Sequence, residues 1–205
     1  MDVSAGARPR RRRAGGERRQ AVLGNVVEIL AERGYHNTRF QDVSHASGVA
    51  ISTLQGYFGS REDMLVEALQ AATDGEVIEM LRVGESTEDP WQRVVLLIDR
   101  GIDTPTPVWR MLMEFWTAAA HDDELRAHSI GLQARYRAPF ETTLRLGVDN
   151  GVFHPKHDIG SVIDLVVAAL DGLCFPRVLQ QPYPEIDGFR AVLLDQLATT
   201  LGVQQ

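Results

Sequence analysis

The chain has 205 residues, 44% hydrophobic and 24% charged, which suits a small domain joined to a larger one and excludes a fibrous or low-complexity protein. Its net charge of -7 argues against a nucleic-acid partner until it is mapped: residues 1–61 hold ten arginines against five acids, and residues 62–205 hold eleven basic residues against 23 acids. A basic front can meet phosphates while an acidic body keeps the molecule soluble, and a single cysteine, Cys174, excludes an intrachain disulfide.

Residues 1–16 are arginine, glycine, alanine and proline with almost no apolar content, the composition of a disordered basic arm. Arg10 to Arg13 resemble the start of a signal peptide, but Ala21 to Leu30 is interrupted by Asn25 and Glu28, so no targeting segment is expected. The first helix is predicted from Glu17, with Leu23, Val26, Val27 and Leu30 on one face and Gly34 as its stop. Thr38 and Gln41 have capping-box spacing and start a second helix that runs to about Ala46. Gly48 supplies a tight turn, Val49 plugs the small core, and a third helix spans about Ala50 to Gly56. Ser60 caps a fourth helix to about Val83, with Glu62 and Asp63 in its first turn, where the helix dipole favours anions.

Beyond a polar break at Gly84 to Pro90, every segment again reads as helix: Trp91 to Gly101, Val108 to Ala120, and a longer one opened by His121-Asp122-Asp123 and running to about Asn150, with a kink expected at Pro139. Ile159 to about Leu179 is strongly apolar but contains Asp164 and Asp171, so a membrane span is not expected. Glu185 to Leu201 is the last helix. The expected fold is all-α, with about nine helices. It divides into the arm (1–16), a three-helix helix-turn-helix domain (17–65) and a larger ligand-binding and dimerisation domain (66–205).

A short helix set at a steep angle by a tight turn suits a DNA major groove. The spacing of Gly34-Tyr35, Thr38, Asp42-Val43, Ala46, Gly48-Val49, Thr53-Leu54, Tyr57-Phe58, Ser60, Glu62, Asp63 and Met64 resembles the N-terminal domain of the TetR family of repressors. Phe115-Trp116, Gly147 to Phe153 and Leu170 to Leu173 more loosely resemble the C-terminal domain of its betaine-regulator-type members. The sequence departs from the family pattern at Gln55, where a tyrosine is usual, at Arg61, often lysine, and at Ala50, commonly serine. The resemblance implies a cytoplasmic, ligand-responsive regulator, a repressor released from a palindromic operator by a small molecule. It implies no enzyme activity and no cofactor.

Expected DNA contacts are Ile51, Ser52, Thr53 and Gln55 on the third helix, Arg39 and Gln41 on the second, and Tyr57 and Arg61 towards phosphates. Trp109, Met113, Phe115, Trp116, Tyr136 and Phe140 have the chemistry of a ligand cavity, and equally that of a core. Arg110, Glu114 and His121 are possible orienting groups for a ligand. The helix at 159–179 is apolar almost all round, and the one at 185–201 has two offset stripes, so both are expected to pair with a second copy in a homodimer.

Two other readings compete. His154, His157 and Asp158 could ligate zinc, but their loop spacing lacks the helical i, i+4 pattern of a metalloprotease, so no metal is expected. A dimer controlled by a partner protein rather than by a small molecule is the other.

Overall fold

The computed structural model describes residues 8–182 and 184–203, with side chains from Gly16 onward. Ten helical segments make up the described chain: α1 (Arg8–Arg33), α2 (Phe40–Ser47), α3 (Ile51–Phe58), α4 (Arg61–Gly84), α5 (Pro90–Ile102), α6 (Thr106–Ala119), α7 (Asp123–Asp149), α8 (Ile159–Asp171), α9 (Cys174–Val178) and α10 (Ile186–Leu201). No strand occurs among the described residues. The all-α expectation holds, and the count becomes nine if α8 and α9 are taken as the single apolar helix foreseen. That helix breaks at Gly172-Leu173.

The basic arm differs from expectation. Backbone helix begins at Arg8, so residues 8–16 are helical and continuous with α1, while residues 1–7 lie outside the described residues. Arginine and alanine are strong helix formers, and extending an existing helix costs far less than starting one.

The helices divide into two compact units, residues 1–72 and 73–205. The smaller has a core of Val22, Val26, Leu30, Tyr35, Val43, Val49, Leu54, Phe58 and Met64, all buried. Val49 sits in it as the turn requires. α1 stops at Gly34 (φ 81), whose N–H donates to the Leu30 carbonyl at 2.9 Å.

The cap of α2 is not the Thr38–Gln41 pair. Thr38 is fully buried and its hydroxyl donates back to the Gly34 carbonyl at 2.9 Å. Arg39 is the N-cap residue, and the Asp42 carboxylate accepts its N–H at 2.9 Å. A hydroxyl that can bond the end of the preceding helix prefers it when buried, because an unpaired buried donor is costly. At α4 Ser60 caps the helix as expected: its Oγ donates to Asp63 Oδ2 at 2.7 Å and accepts the Asp63 N–H at 3.0 Å.

In the larger unit, α5, α7, α8 and α10 share a core that includes Val94, Leu97, Ile98, Phe140, Leu144, Phe153, Val162, Val166, Leu193 and Leu197. α7 runs as one helix through the buried Pro139. α8 buries Val162, Ile163, Val166 and Leu170 and leaves Leu165 52% exposed; α10 buries Leu193, Leu197, Ala198 and Leu201 and leaves Val192 64% exposed. Phe175 and Leu179 are exposed as well. The segment Ile159–Val178 is long and apolar enough to cross a membrane, but its helix is interrupted and it carries Asp164 and Asp171.

The loop between α7 and α8 holds His154 and His157. It is tied to α10 by the His154 N–H donating to the Leu201 carbonyl at 2.7 Å and the Lys156 N–H to that of Thr200 at 3.2 Å.

Candidate nucleic-acid interface and ligand cavity

In the smaller unit, Gly48 takes the left-handed conformation (φ 67, ψ 16) and its N–H donates to the Ser44 carbonyl at 3.0 Å. Only glycine does so at no steric cost. The turn is braced by Ser47, whose hydroxyl donates to the Val43 carbonyl at 2.6 Å and accepts the Val49 N–H at 3.3 Å.

α3 then has two faces. Leu54 and Phe58, four apart, are buried. Ile51, Ser52, Thr53, Gln55 and Gly56 are exposed. That outer face offers two hydroxyls, a primary amide and an aliphatic side chain, all able to meet base edges or a thymine methyl. Arg39 and Gln41 are exposed at the start of α2, and Tyr57 is half-buried.

Arg61 is placed differently from its expected role. Its Nε donates to the Thr38 carbonyl at 2.6 Å, its Nη2 donates to the Tyr35 carbonyl, and its guanidinium lies 5.2 Å from the centre of the Tyr35 ring. A third donor, Nη1, reaches Glu62 at 3.0 Å. The guanidinium fork is occupied in locking the α1–α2 connection to the start of α4. Arg19 plays a matching part: it stacks 5.0 Å over Phe58, donates to the Tyr57 carbonyl at 3.4 Å and pairs with Glu67. Neither clamp is readable from spacing, because several of the acceptors are backbone carbonyls of distant residues.

The larger unit contains a cavity walled by α4 to α8, with Trp109, Trp116, Leu132, Tyr136, Phe140 and Leu170 among its lining residues. Counted as space open to the centre of a water molecule, it measures about 50 Å³. Four of the six aromatic or large apolar residues singled out from the sequence, Trp109, Trp116, Tyr136 and Phe140, line it. Met113 lines an outer groove that shares Trp116, Gln133 and Asp171 with the cavity. Phe115 is buried in the core and lines neither. Arg110, Glu114 and His121 do not line the cavity.

The polar groups of the cavity were missed in the sequence. Asp171 is the one ionisable carboxylate among its lining residues, and Gln133 Nε2 donates to Asp171 Oδ2 at 3.4 Å. Burial holds the Asp171 carboxyl above the usual aspartate range, opposed by the Gln133 hydrogen bond. The indole N–H of Trp109 is buried with no hydrogen-bond partner. Behind the wall, Cys174 is buried, its Sγ donates to the Trp109 carbonyl at 3.7 Å, and burial pushes its thiol up to about 11, with Asp171 acting in the same direction.

Residues 26–68 match the model of bacterial regulatory proteins of the tetR family, and residues 91–202, more than half the chain, match that of the BetI-type transcriptional repressor C-terminal domain. The chain belongs to the TetR family. This TetR-family protein is a DNA-binding, ligand-responsive transcriptional regulator with a BetI-type body. It is 20% identical to the regulator BetI of Rhizobium meliloti over 184 residues, covering 87% of this chain and 86% of that protein. A 60-residue stretch is 32% identical to the fatty acid metabolism regulator of Bacillus subtilis, covering 29% of this chain and 30% of that protein. A transcriptional regulator from Saccharomonospora viridis, solved with choline, superposes with a TM-score of 0.76 at 24% identity, covering 90% of this chain and 96% of that one.

Proposed function

We propose that this regulator is a cytoplasmic repressor that binds a palindromic operator as a homodimer and is released by a compact organic cation. The observation that carries the effector class is the half-buried Asp171 carboxylate in a cavity walled by Trp109, Trp116, Tyr136 and Phe140. Aromatic faces attract cations, most strongly when desolvated, and a single carboxylate among them supplies the counter-charge. A buried carboxylate without a cation is costly, so the pair gains most when both are dehydrated together. The small volume favours a compact head group over a long acyl chain. The choline held by the Saccharomonospora viridis protein has this chemistry.

On the DNA side, Ile51, Ser52, Thr53 and Gln55 are assigned to base edges, and Arg39, Gln41 and Tyr57 to the phosphates beside them. Arg61 is assigned a supporting role behind them, because its donors already serve carbonyls. Dimerisation is assigned to the exposed apolar face of α8 to α10, including Leu165, Phe175 and Val192. Two recognition helices about 34–36 Å apart then read successive turns of the duplex.

The test has two steps. The operator is selected from genomic DNA with the full chain, and its release is followed by fluorescence anisotropy against choline, tetramethylammonium and 3,3-dimethyl-1-butanol, the uncharged isostere of choline. Release by the cations and not by the alcohol is expected. Equal action of all three, or of none, would remove the cation from this reading.

A further inference from the structure

Tyr136 lines the cavity, yet its hydroxyl belongs to a second set of groups. The hydroxyl is buried without a hydrogen bond of full geometry, and the Thr73 side chain on α4 lies beside it. Glu76, one turn further along α4, is ion-paired with Arg100 of α5, the two side chains being only 17% and 20% exposed. The Arg100 Nε is itself buried with no hydrogen-bond partner. Next to Tyr136 on α7, Arg135 Nε approaches Asp74 of α4 at 3.4 Å. Burial raises the Tyr136 phenol well above its ordinary range, and the Glu76 carboxylate pushes the same way, so the proton stays on the hydroxyl as a donor. Thr73, Asp74 and Glu76 occupy the first turn of α4 on the larger unit's side of the division between residues 72 and 73.

We propose that Tyr136 is a positioning residue that reports the occupancy of the cavity to this turn of α4 through Thr73 and Glu76. The proposal rests on the reading that a cation fills the cavity. A phenol hydroxyl has one proton and donates it to one acceptor at a time. In the arrangement described, the hydroxyl lies by Thr73. A cation against the ring face shifts the ring and turns the O–H towards Glu76 as a hydrogen-bond donor, the proton staying on the phenol, which changes the carboxylate's hold on Arg100. The two arrangements differ in which α4 side chain is bonded. A ligand shifts an equilibrium only through such a difference between states.

The test is Tyr136→Phe in the full chain, with choline as the probe, a thermal melt to establish folding, and two titrations. Calorimetry reads choline binding, and anisotropy reads operator release. The expected result is that Tyr136→Phe raises the choline needed for release at least tenfold beyond any change in choline affinity, and that Glu76→Gln, outside the cavity lining, also raises it with choline affinity within about threefold of wild type. Release at the wild-type concentration overturns the proposal. So does a loss of release in proportion to a loss of binding, which would make Tyr136 a wall and nothing more.

If wild type binds no choline, the cation reading fails, and the proposal is then decided by effector-free operator affinity. There, Tyr136→Phe and Glu76→Gln are each expected to shift affinity at least threefold, with the double variant no further from wild type than the larger single. Unchanged or simply additive effects overturn it. Glu76→Gln also keeps the test open if the Tyr136→Phe protein does not fold.

Discussion

Phe153 packs against the backbone of Gly147, so closely that a Cβ at position 147 would lie 2.0 Å from its Cδ2. The two are joined again by the Phe153 N–H donating to the Gly147 carbonyl at 3.0 Å. Phe153 is 1% exposed, at the point where the chain leaves α7 and turns towards α8. Gly147→Ala must therefore move either the ring or the helix. A cost of about 1–3 kcal/mol is expected, as for other overpacked cores, read as a lowered midpoint in urea unfolding. Gly24→Ala, with open space around its Cβ position, serves as the control and should not destabilise.

The placement of Arg61 separates stability from DNA contact. Arg61→Gln removes two donors from buried carbonyls and should cost roughly 1–3 kcal/mol. On the supporting role proposed for Arg61, the slope of log affinity against log salt should stay as in wild type. Tyr57→Phe should do the reverse, weakening binding evenly across operator sequences with little change in melting temperature. A salt slope reduced by about one unit in Arg61→Gln would return Arg61 to the phosphates.

Asp171 links effector binding to pH. Its carboxyl is raised by burial. The contribution to stability is thus fully present below the ordinary aspartate range and is lost as pH rises through the raised value. Cation binding needs the charged form, so its affinity should increase with pH across that same window. Asp171→Asn should abolish both trends and weaken choline binding at neutral pH, as read by calorimetry over a pH series.

The exposed apolar face of α8 to α10 should fail as an interface when charged. Leu165→Glu and Val192→Glu replace side chains that are 52% and 64% exposed, so the protomer core is untouched. Sedimentation is expected to show monomers, and operator affinity should collapse because both half-sites are no longer held together. Dimers of unchanged mass would move the interface elsewhere.

Several helices were legible because they announce an end: glycine at 34 and 48, serine at 60, and Asp122-Asp123 at the start of α7. The outward face of α3 was legible too, since Leu54 and Phe58 repeat at i, i+4 and leave the rest outside. The cavity was half legible. Aromatic residues suggested it, but Phe115 and Trp116 are neighbours on one helix and only one of them lines it. Asp164 and Asp171 show why its polar group was not. They lie seven apart on α8, nearly on one face, yet Asp164 is exposed and paired with Arg137 while Asp171 faces the cavity. Both meet α7, Asp164 through Arg137 and Asp171 through Gln133, but only Asp171 shares a cavity with α6, which one helix's pattern does not contain. The arm was misjudged for a related reason: its composition describes a chain on its own, not one extending a helix already formed.

The covered thiol of Cys174 has a practical side. A sulfur held protonated at neutral pH and shielded from solvent reacts slowly with alkylating reagents and oxidants. One cysteine introduced on the outer face of α3, at Gln55 for example, would then be the sole reactive thiol in each protomer. A spin label or dye placed there would give one distance per dimer, and that distance could be followed as the effector is added, with the native sequence otherwise left whole.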